Sequence, residues 1–328
     1  MIIDVHTHIL PPEYLDKLMS WGSRRFEVTT DATGRTILKY KGARFLGVTK
    51  EMASTDDRLR DMDRVGVDVQ VVSLSCPNVY FVDGPDAVWL ARTMNDHFAG
   101  VCRRHPDRLK GLASLPLTAG MPEALKELDR ATQELGMVGV VLGTHVAGAC
   151  LAEPDFEPLF ARLEALRLPA FLHPMEPLPS EHMRDFGLAP MVGFMFETTL
   201  TVSRMVYAGV FDRHPNFPFI VPHLGATLPY LMERLDNGYR AYRPNYDYAP
   251  QLPSYYYRRL YYDTVSFHRP ALTCALMSVG ADRLVMGSDY PHVIGDLKRA
   301  VTSIQELDVP RADQQRILGD TARQLFRL

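Results

Sequence analysis

The chain has 328 residues, a formal net charge of -3, 46% hydrophobic and 23% charged residues. This balance suits a globular protein that buries a large core, and it excludes disorder, a basic nucleic-acid surface or an acidic tail as the organising feature. No stretch approaches the roughly 18 apolar residues that span a bilayer, and the start lacks the pattern of a secretory signal, so a cytoplasmic protein is expected.

In chain order, short apolar runs rich in β-formers recur at Ile2–Val5, Val67–Leu74, Leu109–Leu115, Val138–Leu142, Ala170–Leu172, Phe217–Val221, Leu260–Asp263 and Leu284–Met286. Segments with apolar positions three and four apart alternate with them at 56–66, 85–104, 121–135, 155–167 and 225–241, the period of amphipathic helices. The runs are mostly apolar rather than alternating, as parallel strands buried on both faces require. Eight β–α units in one chain of this length predict an α/β fold, a TIM-type (β/α)8 barrel forming one domain over 1–328. The doubly wound open sheet is the alternative architecture.

Residues 9–55 are too long for a βα loop. Within them RRFEVTT and RTILKYK flank Asp31-Ala32-Thr33-Gly34, which predicts a small β-hairpin inserted after strand one. The Pro-, Met- and Phe-rich segment 174–196 is expected to cover or line a site. The segment 242–259, with Tyr242, Tyr246, Tyr248 and Tyr255–Tyr257, reads as a lid or an oligomer contact, and the tyrosines of 255–262 otherwise as core. Cys76, Cys102, Cys150 and Cys274 lack a CxxC pair and read as small hydrophobes.

Active sites of such barrels lie at the C-terminal ends of the strands. After strand one come His6 and His8, two apart and hence on one face of a strand, able to converge on one centre. Strand five ends in FLHP with His173, strand six in VPHLG with His223, and strand eight in VMGSDYPH with Asp289. Imidazoles and a carboxylate on four separate strand ends form an N/O set suited to zinc or another divalent first-row metal.

DVHTHILPPEYL, FLHP, HLGATLPYLMERLDN and GSDYP resemble the amidohydrolase superfamily, and RLRDMDRVGVDVQVVS, ARTMNDHFAGVCRRHPDRLKGLASLPL and LGTHVAG extend the likeness along nearly the whole chain. The resemblance is narrower still, to the branch of α-amino-β-carboxymuconate-ε-semialdehyde decarboxylase, with γ-resorcylate and 5-carboxyvanillate decarboxylases. It implies His6, His8, His173 and Asp289 as ligands of one metal, with His223 beside the metal-bound water or hydroxide as acid/base and Asp289 sharing in proton transfer. His6 stands where the resorcylate and carboxyvanillate enzymes typically carry glutamate, which favours the semialdehyde type and zinc, with manganese as the alternative. LGTHV offers no lysine for a bridging carbamate, so the implied site is mononuclear. The chain departs from the family at HLGA, where HxGG is frequent, and in the tryptophan-free segment after His173.

An anionic substrate needs a cation, and arginine is the best bidentate partner of a carboxylate. Arg44 in GARFLG falls near the family's carboxylate-binding arginine, and Arg234 in LMERLDNGYR aligns with one that reaches across a homodimer into the neighbouring site. His292, three residues beyond Asp289, is a further substrate contact at the mouth, and the segment after His173 offers Phe186, Met191, Phe194 and Phe196, of which Phe186 and Phe194 are taken as substrate-binding. Asp4 is expected on the same face as the ligand histidines, Asp263 to orient one of them or to brace backbone, and His145 to play at most a minor part. The expected function is metal-dependent, oxygen-independent decarboxylation of a small aromatic or muconate-like acid. The alternatives are a hydrolase or hydratase on the same site, and a barrel that keeps its metal for structure.

Overall fold

The computed structural model describes residues 1–22, 25–177, 179–245, 247 and 249–328. Strand β1 (Ile3–His8) opens the chain and is followed by α1 (Pro12–Trp21). An inserted antiparallel sheet comes next, β2 (Glu27–Thr30), β3 (Thr36–Tyr40) and β4 (Ala43–Gly47). Then α2 (Thr55–Val65), β5 (Val69–Ser73), α3 (Gly84–Arg104), β6 (Leu109–Ser114), α4 (Met121–Gln133) and β7 (Gly139–Gly143) alternate. A small flap of β8 (His145–Val146) and β9 (Ala149–Cys150) precedes α5 (Glu157–Leu166), β10 (Ala170–His173), α6 (Phe194–Tyr207), α7 (Val210–Arg213) and β11 (Phe219–Val221). The chain closes with α8 (Leu228–Tyr242), α9 (Pro253–Tyr257), β12 (Tyr261–Asp263), α10 (Arg269–Val279), β13 (Leu284–Val285), α11 (Leu297–Gln305), α12 (Arg311–Gln315) and α13 (Thr321–Phe326).

Eight of these strands form one parallel sheet in the order β1-β5-β6-β7-β10-β11-β12-β13, each β–α unit placing its strand beside the last. The first and last strands meet through Val5 N to Met286 O at 2.9 Å, Asp289 N to His6 O at 2.8 Å and His8 N to Tyr290 O at 2.8 Å, so the sheet closes into the expected barrel. Each of the eight apolar runs read in the sequence carries one of these strands. Helix α2 shows how local chemistry sets the units: the Ser54 side chain accepts from Asp57 N at 3.2 Å, and Gly66 ends the helix at φ 83.

The insertion is larger than a hairpin. Asp31 Oδ1 accepts from Thr33 N at 2.9 Å and Arg35 N at 3.1 Å, making the predicted turn between β2 and β3, but the chain turns again at Lys41-Gly42 and adds β4. Arg44 therefore sits on a strand, not in a loop. In the first run, Arg24 lies outside the described residues, as do Tyr246 and Tyr248 of the tyrosine-rich segment. From that segment Tyr256 and Tyr257 are buried, donating to Asp212 Oδ1 at 2.9 Å and Ser203 Oγ at 3.2 Å.

The lumen holds Ile3, Val5, Val69, Val71, Leu112, Val141, Phe171, Ile220 and Val285, packed at one end against Ala322, Leu325 and Phe326 of α13. This closes the barrel at the N-terminal ends of its strands. The polar side chains collect at the other end. No helix among the described residues is long and apolar enough to cross a membrane.

Candidate metal centre and cavity

His6, His8, His173 and Asp289 are all buried and bring their ligand atoms within 4.8 Å of one another. Both histidines of β1 face Asp289 Oδ1, His6 Nε2 at 3.4 Å and His8 Nε2 at 3.3 Å. Strand register makes this possible in an unexpected way. Ile3 and Val5 lie in the lumen, yet His6 touches lumen residue Phe171 at 4.8 Å between ring centroids, so both parities of β1 reach the same space. A register shift between Asp4 and Thr7 turns the strand there. Asp4 is thereby moved off the face of the ligand histidines, correcting the simple alternation: it accepts from Gln70 Nε2 at 3.1 Å, Ser288 Oγ at 2.6 Å and Ser288 N at 3.1 Å.

The partners of the outer ring nitrogens settle how the inner ones are aimed. His6 Nδ1 bonds Asp263 Oδ2 at 2.6 Å, His8 Nδ1 lies 3.1 Å from Ser73 Oγ, and His173 Nδ1 donates to the Pro174 carbonyl at 2.9 Å. Each leaves Nε2 for the centre, the usual arrangement of metal-ligating histidines. His6 Nε2, His8 Nε2 and Asp289 Oδ1 are buried with no hydrogen-bond partner among the described residues. Unpaired acceptors crowded together out of water are costly, and a cation at their meeting point satisfies them.

Electrostatics agree. Burial pulls His8 down to about 3 and His173 well below the usual imidazole range, so both stand as neutral nitrogen donors. Burial opposes ionisation of Asp289, but His292, His8 and His6 outweigh it and hold the carboxyl well below its ordinary value. Asp263 is likewise kept ionised against burial, chiefly by His6, and in turn raises the His6 imidazole. Gly287 leaves room for this pair, since a Cβ there would lie 2.9 Å from the Cβ of His6 and 3.0 Å from that of Asp263.

His223 stands beside the ligands, its ring 5.0 Å from His6 and 6.1 Å from His173, with Nδ1 buried and unpaired among the described residues. Burial and the neighbouring His6 pull it down to about 4, leaving a neutral base. It lies on a strained turn in which His223, Leu224 and Ala226 have φ 52, 58 and 54. Asp263 anchors that turn, accepting from Leu224 N at 3.0 Å, so one carboxylate orients His6 and braces the backbone carrying His223. Asp289 also has positive φ, at 60.

The centre opens into a cavity of about 530 Å³, mouth included, lined by Arg44, Phe45, Gly47, Ser75, Cys76, His173, Pro190, Phe194, His223, Asp289, His292, Val293 and Ile294. Arg44 reaches it from β4, lying 3.7 Å from Asp31 Oδ2 and packed over Gly47. Phe194 and His292 line it as expected. Phe186 does not: it is 89% exposed at the left-handed turn before Gly187, and Met191 and Phe196 face outward too. Nor does the tyrosine-rich segment supply a lid, because none of its described residues lines the cavity. Arg234 is exposed on α8, outside its own chain's cavity. His145 bonds the Glu176 carbonyl at 3.0 Å, away from the centre. Ser75 was missed, although it follows β5 at a strand end, the place that revealed the ligands.

The amidohydrolase family model matches residues 3–328. The chain is 30% identical to 2-amino-3-carboxymuconate-6-semialdehyde decarboxylase of Dictyostelium discoideum over 334 residues, 99% of this chain and 91% of that one. Among solved structures, 5-carboxyvanillate decarboxylase from Sphingomonas paucimobilis superposes with a TM-score of 0.88 at 25% identity, covering 100% of this chain and 99% of that one. Dihydroxybenzoic acid decarboxylase from Polaromonas, solved with bound manganese and the inhibitor 2-nitroresorcinol, gives 0.83 at 27% identity, covering 100% and 97%.

Proposed function

The chain belongs to the amidohydrolase family, and on that premise we propose that it is a metal-dependent, oxygen-independent decarboxylase of a small aromatic or muconate-like carboxylic acid. The observation that carries the reading is the convergence of three buried, unpartnered acceptor atoms on one point, at the floor of a cavity with a guanidinium and apolar walls. His6, His8, His173 and Asp289 would hold the metal. A divalent ion there supplies Lewis-acid polarisation of a substrate oxygen.

Arg44 offers the cavity's cation to the anionic substrate, and Phe45, Phe194 and Pro190 enclose its carbon framework. His223, neutral and unpaired at Nδ1, takes up a proton from the bound substrate or a water and returns it to the carbon bearing the carboxylate. Protonation interrupts conjugation, the bond to the carboxylate breaks with its electron pair returning to the framework, and carbon dioxide leaves. A proton replaces carbon dioxide, and no oxidant is consumed.

Three imidazoles and a carboxylate favour zinc, and the manganese of the Polaromonas relative makes that ion the alternative. Arg234, exposed on α8, is free to reach a second copy in a homodimer. Four free cysteines suit the reducing cytoplasm. The test is metal analysis with carbon dioxide release over hydroxybenzoates, aminobenzoates and carboxymuconate-type acids, using His223→Ala as control. About one metal per chain and release lost in the variant are expected; metal without release from any acid would turn the reading to hydrolysis or hydration.

A further inference from the structure

Arg58, on α2, is a fully buried cation whose hydrogen bonds go to an amide and a carbonyl rather than to a carboxylate. Nη1 donates to Gln70 Oε1 at 2.8 Å and Nη2 to the main-chain oxygen of His8, while Nε has no partner among the described residues. Burial lowers the guanidinium to about 10, against Tyr290, Asp4 and Asp61, so it is charged at neutral pH. A charge buried in this way is a poor source of stability, since apolar side chains of similar volume commonly do as well. What it supplies is geometry.

The bonds run on from Arg58 through the barrel wall. Gln70 Nε2 donates to Asp4 Oδ2 at 3.1 Å, and Asp4 also accepts from His6 N at 3.3 Å, Ser288 N at 3.1 Å and Ser288 Oγ at 2.6 Å. Ser288 Oγ accepts in turn from Tyr290 N at 3.1 Å. Helix α2 grips Tyr290 too: the Arg58 guanidinium lies 4.9 Å from the centroid of its ring, and Asp61 Oδ2 accepts from its hydroxyl at 2.8 Å.

This network sits where strand pairing is interrupted. Asp4 stands opposite Gln70 and Thr7 opposite Val72, so β1 advances three residues against two on β5, and the ladder alone does not fix the stretch between. The main chain of the two ligand histidines is held from two sides instead. His6 C=O and His8 N–H bond Asp289 N and Tyr290 O, while His6 N–H and His8 C=O bond the side chains of Asp4 and Arg58. Asp289 is flanked by Ser288 and Tyr290, both members of the network. Ligand atoms must meet a metal to within about 0.2 Å, so the backbone that carries them has to be held.

We propose that Arg58 is a positioning residue of the metal centre, fixing through the His8 carbonyl and through Gln70, Asp4 and Ser288 the backbone on which His6, His8 and Asp289 stand. This rests on the reading of His6, His8, His173 and Asp289 as ligands of one metal.

The experiment titrates metal-free protein with zinc against a competing chelator and records the absorption spectrum of the cobalt(II)-substituted form, for wild type, Arg58→Met, Arg58→Lys, Gln70→Met and Phe326→Ala. Arg58→Met is expected to weaken zinc binding about tenfold or more and to shift the cobalt bands. Arg58→Lys should restore only part of the affinity, because an ammonium lacks the planar fork that reaches Gln70 and His8 together. Gln70→Met should lose less than Arg58→Met, since the His8 carbonyl keeps its donor. Phe326→Ala, at the far end of the barrel, should lower the melting temperature and leave affinity and spectrum unchanged, which separates positioning from general loss of stability. If Arg58→Met does not fold, Arg58→Lys and Gln70→Met carry the same comparison. Wild-type affinity and spectrum in the folded variants, or losses that Phe326→Ala reproduces at an equal drop in melting temperature, would overturn the role of Arg58. A wild type that binds no zinc would instead remove the ligand set on which the role depends.

Discussion

The two ends of the barrel are made from the same strands and obey opposite rules. At the N-terminal end the lumen is filled by aliphatic side chains and stoppered by Ala322, Leu325 and Phe326, leaving little that water or a ligand would recognise. At the C-terminal end, within a few residues along the same strands, His6, His8 and Asp289 bury acceptors beside His173 that nothing among the described residues satisfies. One end supplies stability through burial, and the other stays solvable only with a cation in place. The ends should therefore fail separately when they are mutated.

The sharpest contrast comes from His223→Ala, expected to lower kcat/KM for decarboxylation by about 10²- to 10⁴-fold, the range of a lost general acid–base, while metal content and melting temperature change little. A comparable effect on stability from this substitution would break the separation. At the stopper, Phe326→Ala should cost about 3 to 5 kcal/mol of unfolding free energy, measured by denaturant titration. It should leave the metal stoichiometry and the kinetics at low temperature near those of the parent. Asp263→Asn probes the seam between ligand and turn: metal affinity, followed by competition with a chelator, should weaken about 10- to 100-fold, because His6 loses the carboxylate that orients it.

The smallest effect concerns the turn that carries His223. Ala226 holds φ 54 and ψ -113, a conformation that glycine adopts without penalty and alanine does not. Ala226→Gly should raise stability by about 1 kcal/mol, seen as an upward shift in melting temperature, after glycine's own entropic cost is set against the relieved strain. A fall in melting temperature would show that the turn is held without strain.

What could be read in advance followed the chemistry of short spans. Parallel strands buried on both faces are mostly apolar rather than alternating, so β5, β7 and β10 announced themselves as VQVVS, GVVLG and AFLH. The ligands were legible because a barrel puts its chemistry where such runs stop, and His173, His223 and Asp289 stand there. Phe194 was separable from Phe186 only in three dimensions, because one lies on the inner side of the first turn of α6 and the other on a surface turn. β4 was overlooked because its strand, ARFLG, is too short to declare a period.

The sequence by itself determined the barrel, the residues of the metal centre and the family, since these depend on residue type at positions defined by local period. Only the tertiary structure decided that β1 shifts register so that Val5 and His6 both face the lumen, that Asp263 links His6 to the turn of His223, and that Ser75 meets His292. These relations join positions from one apart to more than two hundred apart, and closure of the barrel sets them. Side-chain direction and long-range contact are properties of the packed whole, which local periodicity does not encode.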